Sequence, residues 1–191
     1  MKHRFMIAAA VALSAAGVIA QEQGAKPDAA KPASDAGALR AYADIKGEGI
    51  TGRAELTERP QGTGRIVDLA VIVTGLKPGL HGIHLHAVGK CTPDFAAAGG
   101  HFDPGPAGNM DPDANHPFHM GDIPNLEVGA NGVGKLTGVT TRVTLSPGPL
   151  SLFDADGTAV IIHGNEDKEI TGEPKSGVSG GPRVACGVIT K

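Results

Sequence analysis

The sequence predicts an all-β domain of about eight short antiparallel strands, a sandwich or flattened barrel carrying two long functional loops. Three observations lead there. The 29 Gly and 14 Pro sit mostly between short apolar runs, which favours many turns over long helices. Several windows alternate apolar and polar residues with a period of two, the signature of half-buried strands. The aromatic content is small, with no Trp, one Tyr and five Phe, so an aliphatic core is required.

The chain opens with Lys2, His3 and Arg4, then an apolar run from Phe5 to Ala20, with Val18 and Ala20 in the small positions before a cut. Residues 1–20 therefore read as a secretory signal peptide. The run is short and Ala-rich, and polar Gln21 follows at once, so no stable membrane insertion is expected after cleavage. With no Cys near the cut to take a lipid, the expected destination is secreted, in a bacterial periplasm. Removal of Lys2 and Arg4 leaves 15 basic against 20 acidic residues and a net charge of −5, which argues against nucleic acid as a partner. Export also favours a disulfide between Cys91 and Cys186. Residues 21–37 are Ala, Pro, Lys, Asp and Ser without periodicity and read as a flexible linker; the folded domain is expected over 38–191.

From Leu39 the alternation places Leu39, Ala41, Ala43 and Ile45 inward, and a second run does the same with Ile50, Gly52, Ala54 and Leu56. Gly47-Glu48-Gly49 between them predicts a hairpin. Gly62 to Gly64 leads into Val67, Leu69, Val71 and Val73, a third strand. The centre of the stretch Gly79 to Cys91 reads as a further strand, and Asn131-Gly132 marks a later turn. Val139, Thr141, Val143 and Leu145 predict a further inward face, and Thr158 to His163 and Val184 to Thr190 complete the set. Two long segments, Cys91 to Asn125 and Gly164 to Pro182, separate these strands, and loops of such length in a compact domain are usually functional.

The chemistry concentrates on the strand Gly82-Ile83-His84-Leu85-His86. Successive strand residues face opposite sides, so His84 and His86 emerge together as a two-imidazole clamp. His101, His116, His119 and Asp122 follow in one loop, and His163 ends a later apolar strand. Imidazoles suit copper and zinc, and one carboxylate among several imidazoles suits zinc. His81 lies on the face opposite the pair and reads as a packed, hydrogen-bonded imidazole of the fold.

These residues resemble the copper/zinc superoxide dismutases. The matching pieces are Gly82-Ile-His-Leu-His86, Gly100-His-Phe-Asp-Pro104, His119-Met-Gly-Asp122, Ile162-His163 and Pro182-Arg-Val-Ala-Cys-Gly-Val-Ile189, in family order across most of 38–191. The resemblance implies a Greek-key strand order, with copper (Cu) on His84, His86, His101 and His163 and zinc (Zn) sharing His101 with His119 and Asp122. The family commonly places its third zinc imidazole about eight residues beyond the bridging one, where this chain has Asn109. His116 is the nearby spare imidazole and is favoured, with Asp111 and Asp113 as the alternatives. Asp167 matches a carboxylate that hydrogen-bonds a copper His and a zinc His together. Arg183 matches the active-site arginine, a fixed cation able to hold a small anion.

The implied reaction is dismutation of superoxide by alternating copper oxidation states, with His101 leaving copper on reduction and carrying one proton. Lys90, Lys168 and Lys175 are the candidate outer charges on the anion's path. A homodimer is compatible with the sequence, which leaves the oligomeric state open. The competing expectation is a periplasmic copper-binding or copper-delivery protein on the same fold, which would have no use for Arg183 beside the metal.

Overall fold

The computed structural model describes residues 37–105 and 109–191; the expected signal peptide 1–20 and the expected linker 21–37, save Gly37, lie outside these. The first three strands, β1 (Leu39–Gly47), β2 (Ile50–Gln61) and β3 (Gly64–Thr74), form consecutive antiparallel hairpins. Gly47 pairs with Ile50 across the expected turn, where Gly49 takes φ 68°, a left-handed conformation that costs glycine little. The predicted alternation buries Ala41, Ala43 and Ile45 of β1, Ala54 and Leu56 of β2, and Val67, Leu69, Val71 and Val73 of β3. Leu39, expected inward, is 41% exposed, because the packed layer begins only at Ala41.

The remaining strands are β4 (Gly79–His81), β5 (Ile83–His86), β6 (Leu126–Val128), β7 (Val133–Thr140), β8 (Ala159–His163) and β9 (Arg183–Val188). Their hydrogen-bonded order is β4-β6-β7-β3-β2-β1-β9-β8-β5, every pair antiparallel. β4 and β5 end that order on opposite sides, yet only Gly82 separates them in the chain. The sheet is therefore wrapped into a nearly closed barrel. The chain leaves β3 for these edges, returns through β6 beside β4 to β7 beside β3, then crosses to β8 beside β5 and β9 beside β1.

Nine strands stand among the described residues where about eight were expected, and Gly82 is one reason. Its N–H donates to Asn165 O at 2.8 Å and its carbonyl accepts from His163 N at 2.8 Å, so the backbone breaks one ladder to join another. A Cβ at Gly82 would stand 2.9 Å from Ser179 O. The second correction concerns Val139 to Leu145. β7 runs from Val133 to Thr140, and Val139, paired with Asp68 on the outer face, is 61% exposed. Val143 and Leu145 are buried from the irregular segment that follows, so the apparent alternation straddles the strand's end.

The aliphatic core fills the barrel and includes Ile45, Leu56, Ile83, Leu85, Leu126, Leu152 and Ile162. Burying each such side chain contributes roughly 1.5–3 kcal/mol. A smaller cluster of Ala98, Ala159, Ile161 and Cys186, with Cys91 and Phe95 against it, seats the short 3₁₀ turn Phe95–Ala98 on β8 and β9. The two long loops occupy 87–125 and 164–182. Asp113 locks them together: its carboxylate accepts from Gly177 N at 2.9 Å, Ser179 N at 3.1 Å and Ser179 Oγ at 2.8 Å.

Candidate metal centre

β5 pairs with β8 on one side, and its other edge is satisfied by the long loop. Leu85 N donates to Gly121 O at 2.9 Å, Leu85 O accepts from Phe102 N at 2.8 Å, and Ala87 N donates to Gly100 O at 3.0 Å. Unpaired edge groups of a strand demand partners, and here the partners deliver the site. The bridges set His101 opposite His86 and Asp122 opposite His84. Gly121 permits this approach, since a Cβ there would lie 2.3 Å from Leu85 O.

His84, His86, His101 and His163 converge, with one ring nitrogen from each lying within 4.8 Å of the others. All four are buried. In each ring one nitrogen has an oxygen partner: His84 Nε2 with Asp167 Oδ2 at 2.9 Å, His86 Nδ1 with Gly99 O at 3.0 Å, His101 Nδ1 with Asp122 Oδ1 at 2.7 Å, and His163 Nδ1 with Gly181 O at 3.0 Å. The other nitrogens, His84 Nδ1, His86 Nε2, His101 Nε2 and His163 Nε2, are buried without a hydrogen-bond partner among the described residues. Because an oxygen acceptor fixes the N–H of His84, His86 and His163 on the engaged side, their orphaned nitrogens present lone pairs to a common point that His101 Nε2 also faces, with His101 Nδ1 turned to the Asp122 side. An unsatisfied buried polar atom costs about 1–3 kcal/mol, so four converging ones call for a cation. The set of imidazole donors suits copper.

A second group surrounds Asp122. His101 Nδ1 meets Oδ1, while His116 Nδ1 at 3.3 Å and His119 Nδ1 at 2.9 Å face Oδ2. His119 N also donates to Oδ2 at 2.8 Å, so the i, i+3 turn orients the carboxylate. His84 lies within 4.8 Å of His101, His116 and Asp122 as well. Its Nε2 is engaged by Asp167 and its Nδ1 belongs to the first set, which leaves His119 to complete the second. Three imidazoles and one carboxylate make a donor set suited to zinc, with His101 common to both groups.

The electrostatics fit that division. Burial, with the neighbouring His84, pushes His101 down to about 3, and burial likewise brings His163 to about 3. Burial opposes protonation of His116, yet Asp122 and Asp167 on its two nitrogens push it up to about 9. Burial would raise Asp122, but hydrogen bonds from the three surrounding imidazoles hold it far below the carboxylate range. The negative charge is fixed where a cation is required.

The structure brings every predicted metal residue into these two groups. His116 stands in the cluster, whereas Asn109 Oδ1 caps Asp111 N and Asp111 Oδ1 caps Asp113 N and Ala114 N. Asp113 is spent on the other loop. Asp167 links the groups, reaching His84 Nε2 at 2.9 Å and His116 Nε2 at 2.7 Å. Arg183, at the start of β9, donates from Nη1 to Phe95 O at 2.7 Å and from Nη2 to Gly99 O at 2.6 Å. Cys91 and Cys186 form a disulfide that ties this loop to the same strand. His81 faces His163 O at 2.8 Å and Lys77 O at 2.9 Å, a buried structural imidazole.

A family model described as copper/zinc superoxide dismutase (SODC) matches residues 50–189. The chain belongs to the copper/zinc superoxide dismutase family. It is 38% identical over 151 residues to a Superoxide dismutase [Cu-Zn] of Deinococcus radiodurans, covering 73% of this chain and 77% of that one. A Superoxide dismutase [Cu-Zn] of Caulobacter vibrioides is 39% identical over 144 residues, covering 72% and 77%. Among solved structures, the clock protein EA4 superposes with a TM-score of 0.62 at 30% identity, covering 78% of this chain and 92% of that one.

Sequence reasoning did not single out Gly99 and Asn125. Gly99 acts through its carbonyl, which any residue could supply, so no side-chain pattern marks it. Asn125 carried a faint signal, three residues beyond Asp122 at the end of the metal loop.

Proposed function

We propose that this protein dismutes superoxide, consuming two superoxide anions and two protons and producing one dioxygen and one hydrogen peroxide. The single observation that carries this reading is the convergence of four buried, unpartnered imidazole nitrogens from His84, His86, His101 and His163. Copper held there supplies the one-electron couple that oxidises one superoxide and reduces the next. Zinc held by His101, His116, His119 and Asp122 is d¹⁰, so its contribution is structural and electrostatic.

The protein's own residues set the rest. β5 and β8 hold His84, His86 and His163 on paired backbone, which keeps the ligand geometry rigid through turnover. His101 Nδ1 stays against the Asp122 side while its Nε2 takes up a proton in one half of the cycle and gives it to the departing peroxide. Arg183 spends one N–H of each terminal nitrogen on the carbonyls of Phe95 and Gly99, leaving its Nε–H and the remaining N–H groups for a small anion. Residues 1–20 direct the chain to the bacterial periplasm, where the disulfide is stable.

The test is metal analysis with a superoxide-consumption assay on the purified mature chain. One copper and one zinc per chain with rapid superoxide loss is the expected result. A fully copper-loaded chain that leaves superoxide untouched would make it a copper-binding protein without turnover.

A further inference from the structure

Asp167 joins His84 of the first group to His116 of the second, and its own placement needs a cause. It lies in the loop 164–182, outside any strand. Its side chain is satisfied by His84 Nε2, His116 Nε2 and Glu169 N at 2.7 Å. Those contacts explain the ends of the carboxylate and not the position of its backbone.

An isolated antiparallel bridge sets Asp167 opposite Ser179, with Lys168 N donating to Val178 O at 2.8 Å, and the N–H and C=O of Asp167 itself are held by Asn125. Asn125 Nδ2 donates to Asp167 O at 2.9 Å, and Asp167 N donates to Asn125 Oδ1 at 2.9 Å. One amide side chain thus pairs with both main-chain groups of one residue, as a neighbouring strand would. This two-point pairing fixes rotation as well as distance, because the planar amide aligns with the peptide groups it meets. Asn125 follows Asp122 by three residues at the end of the metal loop, just before β6. The segment that supplies Asp122 therefore also anchors the residue that orients His116.

We propose that Asn125 is a positioning residue for the metal centre: by pairing with the Asp167 backbone it holds that carboxylate between His84 and His116 and sets how long the zinc position keeps its ion. The inference rests on the zinc assignment above. The two imidazoles do not depend on Asp167 equally. His84 sits in β5 with a backbone register to Ile161 of β8, so its strand holds it in place without Asp167. His116 lies in no strand, and the carboxylates its ring nitrogens meet among the described residues are Asp122 and Asp167. Loss of the Asn125 pairing should release zinc and spare copper.

The experiment measures zinc loss from the fully metallated protein under a competing chelator, with copper followed in the same samples. Metal affinity falls about 10–100-fold when a group orienting a ligand is removed, so Asn125→Ala, one step further out, is expected to release zinc roughly tenfold faster with copper retained. Asn125→Asp keeps the acceptor for Asp167 N–H and loses the donor; it should fall between, and it decides the matter where the alanine variant does not fold. The Asp167→Ala and Asn125→Ala changes together should release zinc no faster than Asp167→Ala alone, since Asn125 acts only through Asp167. Cobalt placed in the zinc position gives a separate readout, its visible bands shifting in Asn125→Ala.

Unchanged zinc retention in Asn125→Ala overturns the proposal, as do additive effects in the double variant or equal loss of both metals. His116→Ala serves as the control. If it keeps zinc, the zinc assignment fails; if it loses zinc while Asn125→Ala does not, only the role of Asn125 fails.

Discussion

Arg183 Nη2 and His86 Nδ1 donate to the same carbonyl oxygen, that of Gly99, at 2.6 and 3.0 Å. The proposed anion-binding cation and an imidazole of the four-histidine group are thus referenced to one atom. Phe95 O takes the other Arg183 terminal nitrogen, so the guanidinium is clamped at two points of a loop that the Cys91–Cys186 disulfide fastens to β9.

This clamp separates charge from geometry. Arg183→Ile removes both and should lower the second-order rate by about tenfold or more with both metals retained. Arg183→Lys keeps the charge but cannot span two carbonyls with a planar fork, so an intermediate rate is expected. Pulse radiolysis with metal analysis decides it, and an isoleucine variant as fast as the parent would remove Arg183 from the mechanism.

His116 supplies the second prediction. Its Nδ1 faces the Asp122 oxygen left open by His101 at 3.3 Å, alongside His119 Nδ1 at 2.9 Å, and Asp111 and Asp113 are committed to loop hydrogen bonds. His116→Ala should drop zinc well below one per chain and lower thermal stability, with copper unaffected. Zinc remaining at one per chain would exclude His116 as a donor.

The sequence made the copper group legible because its key residues obey strand parity: His84 and His86 share a face by spacing alone. His116 was reachable only by counting imidazoles, since a loop has no periodicity to place it. Asn125 and Gly99 escaped because their roles run through backbone groups. The same divide holds for the fold. β1 to β3 follow the two-residue alternation, whereas Gly82 splits a strand through contacts with Asn165 and His163 that lie about eighty positions away in the chain. β6, only Leu126–Val128, is too short to show a period.

Glu58 gives a pH prediction remote from the metals. Its side chain is fully buried and accepts from Ser146 N and Ser146 Oγ at 2.7 Å, from Leu145 N and from Arg65. Burial alone would raise its carboxyl, but these donors win and hold it below its ordinary 4.5. A depressed folded value means the stabilisation is complete above pH 4.5 and is lost as pH falls through that value to the lower folded one. Glu58→Gln should therefore cost roughly 2 kcal/mol at neutral pH, and the gap to the parent should close in acid. Metal-free protein is the material for the comparison, since the imidazoles then titrate identically in both chains. A gap independent of pH would show that the charge is not what matters.

The last prediction concerns how an anion reaches a protein of net charge −3. Lys168, an expected steering charge, is ion-paired with Glu166, and both are exposed. Lys175 on the same loop makes no ion pair among the described residues. The loop thus presents one neutralised and one uncompensated lysine, and Glu166 works against the substrate together with exposed Glu169 and Glu173. One unit charge acting on another across about 10 Å of water is worth about 0.4 kcal/mol, or roughly twofold in encounter rate at low salt. Glu166→Gln should therefore raise the low-salt rate by roughly that factor and steepen its decline with salt, while Lys175→Gln lowers the rate and flattens it. Both differences should fade near physiological ionic strength, where screening sets in over about 8 Å. Pulse radiolysis across ionic strength reads all three chains, and a Glu166→Gln variant no faster than the parent at low salt would show that this loop does not steer.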